Sequence, residues 1–307
     1  MKMKMSIDDI ELYMKCPRAY RLHVLKEVLP QYKTLSLCKA ITTKKVIFSL
    51  HKEKKNLEEY SCEEIEKLCD TIWQSEISDP QINWEEMNTI LVQAKTDKKN
   101  KEVKKAVTKG DRALAEIKDW CVNYSKLEKR AKVLYSNLYF EDKIGDVIFC
   151  GHIDQIRENQ EDGLDIIMFK TSSQVLPLSY LTREFSLSLA IHAVWQGTLY
   201  TETGEKFRLE KIPSAYCYYF PNLEMYKTNN KGKKGEIKGD PMIAVHRGQE
   251  VLFDFEYELL EVVAGIRMRY FPMRVVNPCG CSLCQFSHQC KSGVAQPVVN
   301  EYAEILE

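Results

Sequence analysis

A surplus of either charge is missing from this sequence: 44 lysines and arginines face 44 aspartates and glutamates among 307 residues. Zero net charge excludes a protein drawn to nucleic acid by its overall field, so any such binding must come from local patches. Long apolar runs are missing too. No stretch approaches the roughly 20 residues that span a bilayer, and the start, Met1-Lys-Met-Lys-Met-Ser6, has none of the apolar character of a secretion signal. The expectation is a cytoplasmic protein with no membrane attachment. Cysteine, in contrast, is plentiful at eleven residues. In a reducing compartment such a set reads as thiols and metal ligands rather than disulfides. The length suits one large domain or two, with ample chain for a buried core.

The chain is organised around residues 150–171. Two runs rich in Ile flank Glu158-Asn159-Gln160-Glu161-Asp162-Gly163, which predicts a β-hairpin with its Gly at the end of the turn. Asp154 sits on the first strand and Lys170 ends the second. The pattern Gly-x-Ile-Asp, turn, two apolar residues, Asp, any residue, Lys-Thr resembles the PD-(D/E)xK nucleases, in particular their RecB-type branch. That resemblance implies an α/β (α+β) fold, with a restriction-endonuclease-like mixed sheet flanked by helices. It also implies that Asp154 and a second acid hold Mg2+ or Mn2+ while Lys170 orients the attacking water.

The second acid is absent. Its position, two residues before Lys170, holds Met168, whose thioether is a poor ligand for a hard cation that demands oxygen donors. Asp165 does not stand in, because strand side chains alternate and 165 lies on the face opposite 168 and 170. Other positions of the family pattern are substituted as well. Ala40 and Lys44 stand nearest the expected Gly-x-x-x-His, and His51 lacks the preceding Gly. Ser136 or Asn137 replaces an upstream Glu, with Glu141 several residues out of place. Ser186 and Ala190 replace Gln-x-x-x-Tyr, so His192 reads as a helix residue rather than a ligand. The candidates for a relocated acid are Glu158, Glu161 and Asp162.

A second signal lies at the two chain ends. Ser6-Ile7-Asp8-Asp9 is a capping-box-like helix start. Cys16-Pro17 should end that helix and begin another, placing Cys16 near a helix N-terminus where a thiolate is favoured. Near the other end stand Cys279, Cys281, Cys284 and Cys290. Three thiolates at x2 and x5 spacing can converge on one metal centre, and they need a fourth ligand. Cys-Pro-x-x-Tyr, as Cys16, Pro17 and Tyr20, resembles the N-terminal segment of the Fe-S RecB-type nucleases, which include the AddB subunit and the CRISPR-associated exonucleases. The resemblance implies a 4Fe-4S cluster on Cys16, Cys281, Cys284 and Cys290, with Cys279 a spare or competing ligand. A structural Zn site completed by His288 or Cys279 is the alternative, and an ordinary capped helix with a buried Cys16 is another.

Between these landmarks, residues 35–125 read as helical, with a Lys-dense stretch at 95–109 that is either a phosphate contact or a solvated face. Residues 133–139 and 147–156 read as consecutive strands, 185–200 as a helix, 215–220 as a strand and 251–270 as an amphipathic helix. The loop containing Lys231, Lys233 and Lys234 is basic and Gly-rich, which makes it a candidate phosphate contact or a plain surface loop. The expected divisions are an N-terminal segment at 1–34, a helical subdomain at 35–130, a nuclease-like core at 131–278 and a Cys-rich segment and tail at 279–307. The function to expect is a cleavage-defective nuclease-fold subunit that binds DNA, through Lys170 and the loop lysines, or assembles with protein partners in defence, CRISPR or recombination and repair. An active exonuclease or endonuclease and a pure protein scaffold are the alternatives.

Overall fold

The computed structural model describes residues 3–26, 33–52, 56–96, 102–159, 163–172, 176–181, 184–224, 237, 239–272, 286 and 290, with the backbone alone at 84, 92–96 and 102–106. A short strand, β1 (Lys4–Ser6), leads into helix α1 (Ile7–Lys15). The capping box is present: the Ser6 hydroxyl accepts from the Asp9 amide at 3.1 Å, and the Asp9 carboxylate accepts from the Ser6 amide at 3.2 Å. Cys16, extended, caps a single turn, α2 (Pro17–Tyr20), which continues as a π-helical turn over Arg21–Leu25. Proline is at home in that first helical position because its missing N–H has no intrahelical partner there.

Helices α3 (Leu35–Lys52) and α4 (Cys62–Ile77) follow, then a turn, α5 (Trp84–Met87). The all-helical expectation for residues 35–125 needs correction at this point. An antiparallel ribbon of β2 (Ile90–Thr96) and β3 (Glu102–Thr108) interrupts it before α6 (Lys109–Leu127). β-Branched Ile90, Val92, Val103 and Val107 suit strands, and in the sequence the density of lysine around them obscures that signal.

The main sheet is built from β4 (Val133–Ile144), β5 (Val147–Glu158) and β6 (Leu164–Lys170), an antiparallel meander whose first turn is Gly145-Asp146. Next come α7 (Leu178–Leu181) and α8 (Phe185–Trp195). The helix expected to run to residue 200 stops at Trp195, and β7 (Thr198–Tyr200) begins instead. Gly197 permits this reversal, since a Cβ there would lie 2.7 Å from the Ala193 carbonyl oxygen. The remaining elements are β8 (Lys206–Phe207), β9 (Ser214–Tyr219), β10 (Met242–Val245) and α9 (Gln249–Arg267). The strand order is β10-β9-β6-β5-β4-β7-β8, with β1 parallel to β5 and β6 parallel to β9. A parallel neighbour requires a crossover, and α8 lies within the connection from β6 to β9.

Alternate residues of β6 and β9 feed two separate cores. Ile166, Met168, Cys217 and Tyr219 pack with residues of α1, α8 and α9. Ile167, Phe169 and Tyr218 pack with residues of α3, α4 and α6. The sheet is therefore buried on both faces, and a polar group reaching its middle must find a partner from one helical layer or the other.

Chain ends meet at the edge of the first core. The Tyr13 hydroxyl donates to the Tyr270 carbonyl at 2.8 Å, and Phe271 stacks on Tyr20 at 6.1 Å between ring centres. Phe286 packs on His23 at 5.6 Å. Gly265 on α9 makes the approach possible, because a Cβ there would lie 2.6 Å from the Tyr13 hydroxyl oxygen.

Candidate active site

The site lies where β5 and β6 part. Their pairing runs from Glu158 opposite Leu164 to Gln155 opposite Ile167. Beyond that point β6 remains paired with β9 as far as Lys170 opposite Tyr219. Upstream on β5, residues 148–150 pair with β1. Asp154 stands at this fork, and opposite it in β4 is Asn137, whose φ of 54° is rare for a residue other than Gly. The amide of Phe169, freed from the ladder, donates instead to an Asp154 carboxylate oxygen at 2.7 Å.

Asp154 is 3 % exposed, and a carboxylate at that depth requires a counter-charge. Lys44, from the α3 layer, supplies it: its Nζ donates to both carboxylate oxygens, at 2.8 and 2.9 Å. This is the lysine that stands nearest the sequence position expected for the His of Gly-x-x-x-His. An ammonium thus occupies the mouth of the carboxylate, where the resemblance places a cation.

Lys170 is held on the other side of the sheet. Its Nζ donates to Glu184, the N-cap residue of α8, whose Oε1 also accepts from the Ser186 hydroxyl at 3.1 Å. Burial by itself would lower the Lys170 pKa, but the charge and hydrogen bond of Glu184 outweigh it and leave the ammonium above its ordinary value. Arg247 braces this turn by donating through Nη2 to the Leu181 and Glu184 carbonyls at 2.5 and 3.0 Å. Burial lowers its pKa to about 10. Lys170 is therefore paired with Glu184, while Asp154 is paired with Lys44.

Met168 is 9 % exposed and belongs to the apolar core with Ile166 and Cys217. Of the acids considered for relocation, Glu158 pairs with Lys132 at 3.2 Å, at the β6-paired end of its strand. Glu161 and Asp162 lie outside the described residues, as do Lys231, Lys233, Lys234, Cys279, Cys281, Cys284 and His288. Sequence reasoning missed Glu184, which is 14 residues from Lys170. No motif marks it, and only its place just ahead of an apolar helix could have drawn attention to it.

A divalent metal finds a poor site here. Both Asp154 oxygens already accept from an ammonium, one also accepts from an amide, and the neighbouring position offers sulfur in an apolar cluster. Among the described residues no group of three or more His, Cys, Asp or Glu is placed to hold a metal ion. Cys16 and Cys290 are both half-buried.

Comparison with known proteins decides the family: the model of the PD-(D/E)XK nuclease superfamily matches residues 4–291. The chain belongs to the PD-(D/E)XK nuclease superfamily. The mixed sheet with helices on both faces is the architecture expected of a PD-(D/E)XK protein, and the match takes in both Cys16 and Cys290. No curated protein matches the chain. Among solved structures, the crystal structure of SSO0001 is similar at a TM-score of 0.32 and 12 % identity, over 90 % of this chain and 94 % of that one. That likeness is too distant to bear on the chemistry of this PD-(D/E)XK chain.

Proposed function

We propose that this is a RecB-type, Fe-S-containing PD-(D/E)XK protein that has lost cleavage and acts as a nucleic-acid-binding or assembly subunit in a defence, CRISPR or recombination and repair system. One observation carries the loss of cleavage: the Lys44 ammonium bound to both oxygens of Asp154. Metal-assisted phosphodiester hydrolysis needs a well-held cation to stabilise the developing charge and activate water. A lysine tethered to α3 gives positive charge to the carboxylate without open coordination positions. Its ammonium therefore neutralises the buried Asp154 and activates no water.

The cluster reading rests on the cysteine pattern and is supported by the meeting of the chain ends. Phe286, between Cys284 and Cys290, packs on His23, seven residues beyond Cys16. Cys16, Cys281, Cys284 and Cys290 would hold a 4Fe-4S cluster, whose role is to tie the two segments together. DNA is the proposed partner, with Lys231, Lys233 and Lys234 as backbone contacts. Lys170 joins them only if a phosphate displaces Glu184.

One observation favours an active enzyme instead. Glu184 Oε2 is buried without a hydrogen-bond partner among the described residues, close to Lys170, which leaves a carboxylate oxygen open beside the family's lysine. Incubating anaerobically purified protein with labelled single- and double-stranded DNA and Mg2+ or Mn2+ separates the readings. Brown protein that binds DNA and leaves it intact supports the proposal. Cutting that is lost in both Asp154→Ala and Glu184→Ala favours the active enzyme, and colourless protein with stoichiometric zinc removes the cluster.

A further inference from the structure

A cleft opens beside the site, between the helical layer and the end of β6. Its volume is about 500 Å³, and its walls include Lys39 of α3, Lys109 and Arg112 of α6, and Thr171 and Ser172, which directly follow Lys170. The positive groups outnumber the acids that face them. Glu116 is shared by Lys39 and Arg112, with Arg112 Nε at 2.9 Å. Glu86, the other acid of the lining, is engaged by the Leu35 amide at the start of α3, at 3.0 Å. No carboxylate among the described residues pairs with Lys109.

The chemistry of the walls points to a repeated anion. Lys109 and Arg112 lie in the first turn of a 19-residue helix, and Leu35 and Ser36 begin an 18-residue one. The α3 end is taken up by Glu86 and the α6 end by the Thr108 capping box, so the positive character of the opening comes from the side chains. Two hydroxyl-bearing residues, Thr171 and Ser172, line the cleft as well. Lys39 is less available, since its Nζ lies over the Trp120 ring at 3.9 Å and on Glu116. The ribbon of β2 and β3 springs from the rim, through Leu91 and Lys109.

The geometry points to this cleft as a seat for the phosphodiester backbone of single-stranded DNA, held by Lys109 and Arg112 at the exit of the disabled site. The inference rests on the nucleic-acid reading above and adds the path of the strand. Both side chains can be removed with little risk to the fold, because Arg112 is exposed and Lys109 is half-exposed.

The test measures binding of a fluorescent single-stranded oligonucleotide to the full-length protein by anisotropy, across a range of salt. The variants are Lys109→Ala/Arg112→Ala and, as a control, Lys206→Ala/Arg208→Ala on an exposed edge far along the sheet order. Each phosphate contact to a single strand contributes about 0.7 to the slope of log affinity against log salt. Loss of both cleft cations should flatten that slope by about 1.4 and weaken binding, while the control binds as wild type does. Equal slopes in wild type and the cleft variant overturn the path and leave DNA binding itself standing. Equal losses in both variants also overturn it, since the effect is then one of net charge. Absence of binding by wild type overturns the inference together with the reading beneath it. If the Ala pair lowers the melting temperature, Lys109→Gln/Arg112→Gln is read in its place.

Discussion

The Nζ of Lys44 lies 2.8 and 2.9 Å from the two carboxylate oxygens of Asp154, across 110 residues of sequence. Asp154 is almost wholly buried, with 4 % of its side chain exposed, whereas 34 % of the Lys44 side chain reaches solvent. The two ends of the pair should therefore respond unequally to mutation. Lys44→Ala leaves a buried carboxylate without its counter-charge and should cost on the order of 3–5 kcal/mol. Asp154→Asn leaves an ammonium that can turn to water and should cost less. Urea unfolding of the two single variants checks the order, and equal costs would mean that the carboxylate is better solvated than its depth implies.

Met168→Asp restores the family's second acid in name only. The new carboxylate would enter the cluster that holds Ile166, Cys217 and Tyr219, where an unpaired charge is unfavourable. We expect a drop of several kcal/mol in stability, about the range for burying an unpaired polar or charged group, and no gain of nuclease activity. Thermal melting and a plasmid-nicking assay on the same preparation measure both effects.

Gly265→Ala probes the joining of the chain ends. The added methyl would start 2.6 Å from the Tyr13 hydroxyl, which is fixed by its bond to the Tyr270 carbonyl. Overpacking of this kind typically costs about 1–3 kcal/mol. Limited proteolysis should cut first within 1–26 and beyond 270, and Cys16→Ser should expose the same sites if the cluster ties these segments. Unchanged cleavage patterns in both variants would argue that the two ends are held independently.

Two histidines give opposite pH dependences. His192 lies between Asp142 and Glu256. Burial would lower its pKa, but the hydrogen bonds and charges of those two acids prevail and raise it. Its stabilising contribution is complete below the unfolded value of about 6.5 and is lost as pH rises through the raised folded value. His51 is lowered to about 4, first by burial and then by the charge of Arg157. The folded protein holds it neutral while the unfolded chain takes up a proton, so stability falls as pH drops from about 6.5 toward about 4. His192→Gln should flatten the alkaline side of a plot of melting temperature against pH, and His51→Gln the acid side.

Much of this arrangement was legible in the sequence. Asp154 and Lys170 fall on one hairpin whose apolar runs and turn residues are local signals, and Ser6, Asp9 and Pro17 mark their helix ends by local chemistry. The partners were not legible. Lys44 was recognisable as the occupant of a substituted His position, but that its ammonium reaches Asp154 depends on how α3 crosses the sheet. Glu184 is selected by a crossover that returns α8 to the same face as Lys170, and no spacing rule encodes that. The β2–β3 ribbon was hidden because its lysines resemble a solvated helical face as readily as a strand.

The central claim is that an ammonium stands where catalysis requires a metal. Incubating wild type, Lys44→Ala and Asp154→Ala proteins with labelled single-stranded and duplex DNA in Mg2+ or Mn2+ tests it most directly. The account predicts intact DNA in all three, since opening the carboxylate still leaves Met168 in place of the second acid. Cutting by wild type that disappears in Asp154→Ala would contradict it.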